Sequence, residues 1–244
     1  MDMNTLPYDK DWLKINFNYL VKKKLDGICG QTFYLAENYS QKIIRASSYG
    51  KVFLRTIPGS IFLKKTVDKV GFFNFKTRAG EDTEWLKKLD SYKLRVENAP
   101  IPLYYKGLYN FSFLSIIKKW FRNYLYSSSL PHLSNQKFFY TFLCFFTLLI
   151  IILNWNYSND LTAEGEVFFI PHITKIYLIT SALLYVLIRG ILFPITKKIN
   201  IKFLFPINFI VITFFSFILD FVKTITFVLS FFSRFLKLQK DKKH

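Results

Sequence analysis

The chain has 244 residues, of which 51% are hydrophobic and 20% aromatic, and it carries 34 Lys and Arg against 16 Asp and Glu. A net charge of +18 would suit a nucleic-acid binder only if the cations were gathered on one folded face, whereas here many of them flank apolar runs, which points to a membrane protein. Two distant cysteines, Cys29 and Cys144, give no basis for a disulfide framework or a thiolate metal site. From the start of the chain, residues 11–24 predict a helix with Trp12, Ile15, Tyr19 and Leu20 at helical spacing and Lys22, Lys23 and Lys24 in the last turn, where cations complement the helix dipole. A strand follows over "DGICGQTFYL". The segment "KVFLRTIPGSIFLKKTVDKVGFF" then predicts a strand, a turn at Pro58 and Gly59, and a brief helix ending at Gly71. A helix over 82–89 and the extended, proline-broken "KLRVENAPIPLYY" complete a pattern of interleaved strands and helices, which implies an α/β layer structure.

Near Gly107 the composition changes, dividing the chain into 1–107, a connector over 108–136 and a membrane region over 137–244. Residues 111–126 repeat Phe113, Ile117, Trp120, Phe121 and Tyr124 every three or four positions, with Lys118, Lys119 and Arg122 on the other face. That is the pattern of a helix lying in the membrane interface. Runs at 138–155 and 174–195 approach the ~20 apolar residues that cross a bilayer. The loop between them is acidic and the one after them basic, which by the positive-inside rule leaves residues 1–107 in the cytosol of a multi-pass protein of the cytoplasmic (inner) membrane. The third stretch, 203–232, would be about 45 Å long as one helix. That exceeds the ~30 Å hydrocarbon core, and Asp220 and Lys223 lie inside it, so a break near Asp220 is expected.

The stretch "RAGEDTEWLKKLDSY" places Glu81 and Asp82 at a helix start. Acidic residues there interact well with the dipole, and Asp is a good cap, so the residues alone are accounted for by helix capping. Their surroundings suggest more. Gly59 and Ser60 precede a short helix, then come Gly71 and Phe72, then Gly80, Glu81, Asp82, Glu84 and Trp85. In this order and spacing the segment resembles the acceptor-side half of family 2 glycosyltransferases of the GT-A fold, a match covering about residues 12–105.

That resemblance implies a partial GT-A-like (Rossmann-like) domain followed by an interfacial helix and transmembrane helices. Asp82 would be the general base, with Glu81 beside it and Gly59, Ser60 and Trp85 at the acceptor pocket. Asp2 and Asn4 stand where the family places a metal-binding Asp-x-Asp ahead of Trp12 and Leu13, which implies Mg or Mn in the complete enzyme. The nucleotide-binding half would precede this point, so the chain is expected to be the C-terminal portion of a longer transferase. Implied partners are a nucleotide-sugar donor, a lipid-linked or glycan acceptor, and membrane lipids contacted by Lys118, Lys119, Trp120 and Arg122; no nucleic acid is expected. The Gln-x-x-Arg-Trp signature of processive members is reduced to a basic residue and Trp120, which disfavours polymer synthesis, and Tyr104 and Tyr105 stand where a histidine often follows the base. Sugar transfer from a nucleotide diphosphate requires a proton to be taken only from the acceptor hydroxyl, so one carboxylate suffices. The alternative is a non-catalytic membrane scaffold derived from such an enzyme.

Overall fold

The computed structural model describes residues 5–73, 79–106, 113–127, 134–159 and 172–241. The first of these segments begin a mixed sheet: β1 (Thr5–Pro7), α1 (Trp12–Lys22), β2 (Gly27–Tyr34), α2 (Tyr39–Ser47), β3 (Leu54–Phe62), α3 (Lys64–Val70), α4 (Glu81–Ser91), β4 (Val96–Asn98) and β5 (Leu103–Tyr105). The strand order is β1-β5-β2-β3, with β4 also on β2. β3 runs antiparallel to β2, while β4 and β5 run parallel to successive parts of it, Gly27–Cys29 and Thr32–Tyr34. The interruption between β4 and β5 falls at Pro100 and Pro102, which have no N–H to give a ladder.

One expectation fails in β3. Pro58 and Gly59 do not end the strand but bulge out of it, since β2 pairs Ile28 with Ile61 and then Gly30 with Thr56. Ser60 closes the bulge by accepting from the Gly30 amide at 2.8 Å and donating to the Thr56 carbonyl at 2.9 Å. Beneath the sheet, Cys29, Val70, Trp85, Leu86 and Leu89 pack α3 and α4 onto β2. A second group, Leu20, Leu25, Ile28 and Ala99, seats α1. Each buried Leu, Ile or Val among them contributes about 1.5–3 kcal/mol.

The α2 helix was not foreseen. It opens on a capping box in which Asn38 accepts from the Gln41 amide at 2.9 Å and the Gln41 side chain accepts from the Asn38 amide at 3.2 Å. Its inner face does not serve the sheet. Ile43 and Ala46 pack with Ile199, Leu204 and Ile212, and Ile44 packs with Ile116 and Leu219, so the polar and apolar parts of the chain share cores.

The later elements are α5 (Phe113–Ser127), α6 (Ser134–Asn159), α7 (His172–Tyr185), a π-helical segment (Val186–Leu192), α8 (Phe193–Thr196), α9 (Ile201–Leu204) and α10 (Asn208–Asp241). Among the described residues two stretches are long and apolar enough to cross a membrane, Ile176–Thr196 and Asn208–Ser230. Only 6% and 33% of their residues are buried by protein, unlike the core helix of a soluble fold, which leaves side chains such as Leu183 and Phe214 facing outward in a way lipid would accept. Within α6 the apolar stretch Phe138–Ile150 is shorter, and the side chains of 151–155 lie outside the described set.

The expected break near Asp220 is absent: α10 is continuous from Asn208 to Asp241. The reason is a partner that sequence proximity could not show. Arg189 Nε lies 2.7 Å from Asp220 Oδ2 without the alignment for a hydrogen bond, while Arg189 Nη2 donates to Oδ1 at 3.2 Å and Tyr185 donates to Oδ2 at 2.8 Å. Gly190 permits the close crossing, since a Cβ there would lie 2.2 Å from Thr213 Oγ1. Lys223 is only 6% exposed and sits against the rings of Tyr140 (4.4 Å), Tyr124 (5.2 Å) and Phe227 (5.8 Å). Replacing Asp220 by Ala should strand Arg189 and destabilise the fold by about 3–5 kcal/mol, whereas the double change Arg189→Met and Asp220→Leu should recover most of it. Thermal unfolding of the detergent-solubilised protein, followed by circular dichroism, measures both.

Candidate functional site

Helix α4 begins under unusual capping. Gly80 occupies the N-cap with φ 87°, and neither carboxylate caps the helix with its side chain. The Gly80 carbonyl accepts from the Glu84 amide at 2.9 Å, so Glu81, Asp82 and Glu84 all fall in the first turn. Asp82 is half-buried; its Oδ1 accepts from the Thr83 amide at 2.7 Å and more weakly from the Thr83 hydroxyl at 3.4 Å. Among the described residues both bonds fall on Oδ1.

Asp82 borders a cavity of about 390 Å³, within the usual range for small-molecule sites. The start of α4 supplies Ala79, Gly80, Asp82 and Thr83; α5 supplies Trp120, Asn123, Tyr124 and Ser127; Tyr49 enters from the turn after α2. The cavity therefore lies where the sheet layer meets the amphipathic helix. α5 is held there by Ile116 and Trp120, which pack with Ile44 and Leu219, and by the edge-on contact of Tyr124 with Phe227.

The cavity chemistry is one carboxylate among hydroxyl, amide and aromatic groups. Tyr34 and Tyr49 stack face to face with centroids 3.8 Å apart. Burial, assisted by Tyr105, pushes the Tyr49 phenol up to about 12, so it remains a hydrogen-bond donor at neutral pH. Tyr124 is pushed up as well, by burial first and by Tyr140 next.

The other residues singled out in the sequence are dispersed. Glu81 does not line the cavity; its Oε2 and that of Glu84 are buried without a hydrogen-bond partner among the described residues. Gly59 and Ser60 belong to the β3 bulge, where Gly59 has φ 77° and a Cβ would lie 2.6 Å from Leu103. Trp85 is 3% exposed and donates to the Gly71 carbonyl at 2.7 Å, a core position away from the cavity. Lys118 and Arg122 are exposed, Trp120 lines the cavity, and Lys119 lies 3.4 Å from the Tyr105 hydroxyl. Asp2 and Asn4 lie outside the described residues. Among the described residues no three His, Cys, Asp or Glu side chains converge on a metal position, so the divalent ion implied by the resemblance has no ligand set there.

Tyr49, Asn123 and Ser127 were not picked out as site residues. Tyr124 was read only as part of an apolar face. Comparison of the chain with protein-family models, with curated proteins and with solved structures finds no match in any of the three.

Replacing Trp85 by Phe should lower the melting temperature, followed by circular dichroism, by removing the bond to Gly71; an unchanged melting temperature would show that this bond contributes nothing to the core. A second expectation concerns alkali. Below pH 10 the Tyr49 phenol is protonated in folded and unfolded chains alike; between 10 and about 12 the unfolded phenol ionises while the folded one stays neutral, so stability falls as pH rises. Tyr49→Phe should flatten that loss in melting curves taken across this window.

Proposed function

We propose that this chain carries the acceptor side of an inverting, family 2-like glycosyltransferase held at the cytosolic surface of the cytoplasmic membrane. The observation that supports it is the position of Asp82: a carboxylate at a helix start, bordering a cavity that opens between an α/β layer and an amphipathic helix joined to membrane-crossing segments. Of the residues that suggested the family, Gly80 and Asp82 border that cavity, which combines a carboxylate with polar donors.

In this reading the acceptor hydroxyl enters the cavity and hydrogen-bonds to the Asp82 carboxylate. As the oxygen attacks the anomeric carbon of a nucleotide-diphosphate sugar, its proton passes to Asp82 and the nucleotide diphosphate leaves from the opposite face, inverting the centre. Tyr49 and Asn123 would orient the hydroxyl, and Trp120 would offer a face to a sugar ring or an isoprenoid carbon. A lipid-linked acceptor suits a cavity whose wall is α5. Lys118 and Arg122, exposed on that helix, would face head groups.

A second reading, a non-catalytic membrane scaffold, is favoured by a separate feature. Between α7 and α10 runs an apolar groove of about 500 Å³, lined by Ser181, Ala182, Tyr185, Val186, Ile210, Thr213, Phe214 and Phe217, with small residues that would admit a neighbouring helix. The two readings separate on one substitution. With membranes containing the full-length protein and a panel of labelled nucleotide sugars, Asp82→Asn should cut transfer to membrane lipid by about 10²–10⁴-fold at unchanged melting temperature. Full retained transfer would remove Asp82 as the base, whereas no transfer by the unsubstituted protein would leave the scaffold.

A further inference from the structure

Away from the Asp82 cavity, the turn after α2 meets the turn after α8 at the Thr196 end of the first membrane-crossing stretch. The Lys51 amide donates to the Lys197 carbonyl at 2.7 Å. Six cations gather round this contact: Lys42 and Arg45 on α2, Lys51, Lys197, Lys198, and Lys202 on α9. The sequence supplies no acid to balance them, since there is no Asp or Glu from 38 to 67 or from 167 to 219. None of the six forms an ion pair with a carboxylate among the described residues.

A cavity of about 220 Å³ opens within this cluster, lined by Lys42, Arg45, Lys51, Ile199, Asn200 and Phe203. Arg45 is the telling member. It is 7% exposed, donates from Nη1 to the Tyr34 carbonyl at 3.1 Å, and lies 5.7 Å from the centroid of Phe33, yet its Nε is buried with no acceptor. A guanidinium taken out of water with no counter-charge is costly, and an anion in the adjoining cavity would offset that deficit. Exposed apolar side chains, Ile201, Phe205 and Ile207, stand beside Lys198 and Lys202, a mixture suited to the head-group layer.

We propose that this cavity binds the phosphate of an anionic phospholipid, with Arg45, Lys42 and Lys51 supplying charge and donors and with Ile199 and Phe203 against the apolar part of the lipid. Basic pockets beside membrane helices recognise head groups in this way. The inference does not depend on sugar transfer, and the site is distinct from the exposed cations of α5.

The test uses the full-length protein in a neutral detergent, titrated separately with short-chain phosphatidylglycerol, short-chain phosphatidylcholine and inorganic phosphate, with the melting temperature as readout. Phosphatidylglycerol should raise it, phosphatidylcholine should not, and phosphate should act only at far higher concentration. The double change Lys42→Ala and Lys51→Ala, both at exposed positions, should weaken the phosphatidylglycerol response about 20- to 30-fold, from roughly fivefold per cation, without altering the lipid-free melting temperature. Lys118→Ala with Arg122→Ala should leave the response intact. An equal response to phosphatidylcholine, a full response to inorganic phosphate alone, or an equal loss from the α5 pair would each overturn the proposal.

Discussion

The ion pair between Arg189 and Asp220 is the constraint from which the arrangement of the apolar half follows. Neither charge is stable alone in a lipid-facing helix, so the two segments that carry them must cross at this point. Once they do, α10 has no reason to break at Asp220, and its full length becomes a rail for other elements. The π-helical segment around Arg189 fits the same requirement, because a widened turn re-aims a side chain without ending the helix. Arg189 Nη2 also lies 3.5 Å from the Ser47 carbonyl at the end of α2, so the pair touches α2 as well as both long apolar stretches.

From that rail the candidate site is assembled in two steps. α10 receives Ile43 and Ala46 of α2 at Ile212 and, two turns on along the same face, Ile44 of α2 together with Ile116 of α5 at Leu219. Because α2 emerges directly from β2, and Tyr49 follows α2, fixing α2 also fixes Tyr49 against α5. The cavity beside Asp82 is thus bounded on one side by the sheet layer and on the other by a helix whose position is set by the membrane-crossing α10. The amphipathic helix α5 is a wall of the pocket.

Much of the sheet layer was legible because its signals are local. The spacing of Trp12, Tyr19 and Leu20 gave α1, Gly71 marked the end of α3, and the prolines at 100 and 102 forecast the broken edge. What was missed depended on distant partners. The bulge at Pro58 and Gly59 looks like a turn until Ser60 is seen binding the Gly30 amide across the sheet. The continuity of α10 could not be read from residues 203–232, because Arg189, the group that neutralises Asp220, lies outside them. Asn38 and Gln41 carried the capping-box spacing for α2, but that helix is too short for periodicity to announce it. Asp82 was found from a local motif, whereas Tyr49, Asn123 and Ser127 join it only through folding, and Trp85 shows the converse, a motif residue whose side chain the core claims.

Lys223 extends this reasoning to the helices behind the cavity wall. Its ammonium has no carboxylate within ion-pair distance among the described residues, and Asp220, three positions earlier, is engaged by Arg189 and Tyr185. The compensation comes instead from three aromatic faces drawn from three helices, Tyr124 of α5, Tyr140 of α6 and Phe227 of α10. A cation held this way ties those helices together in a setting where apolar contact alone distinguishes poorly between protein and lipid. Tyr124 presents one part of its ring to the ammonium and also lines the cavity that Asp82 borders. That tyrosine therefore touches the buried ammonium, the Phe227 ring of α10 and the cavity at once, which links the packing of α5 on α10 to the wall of the pocket.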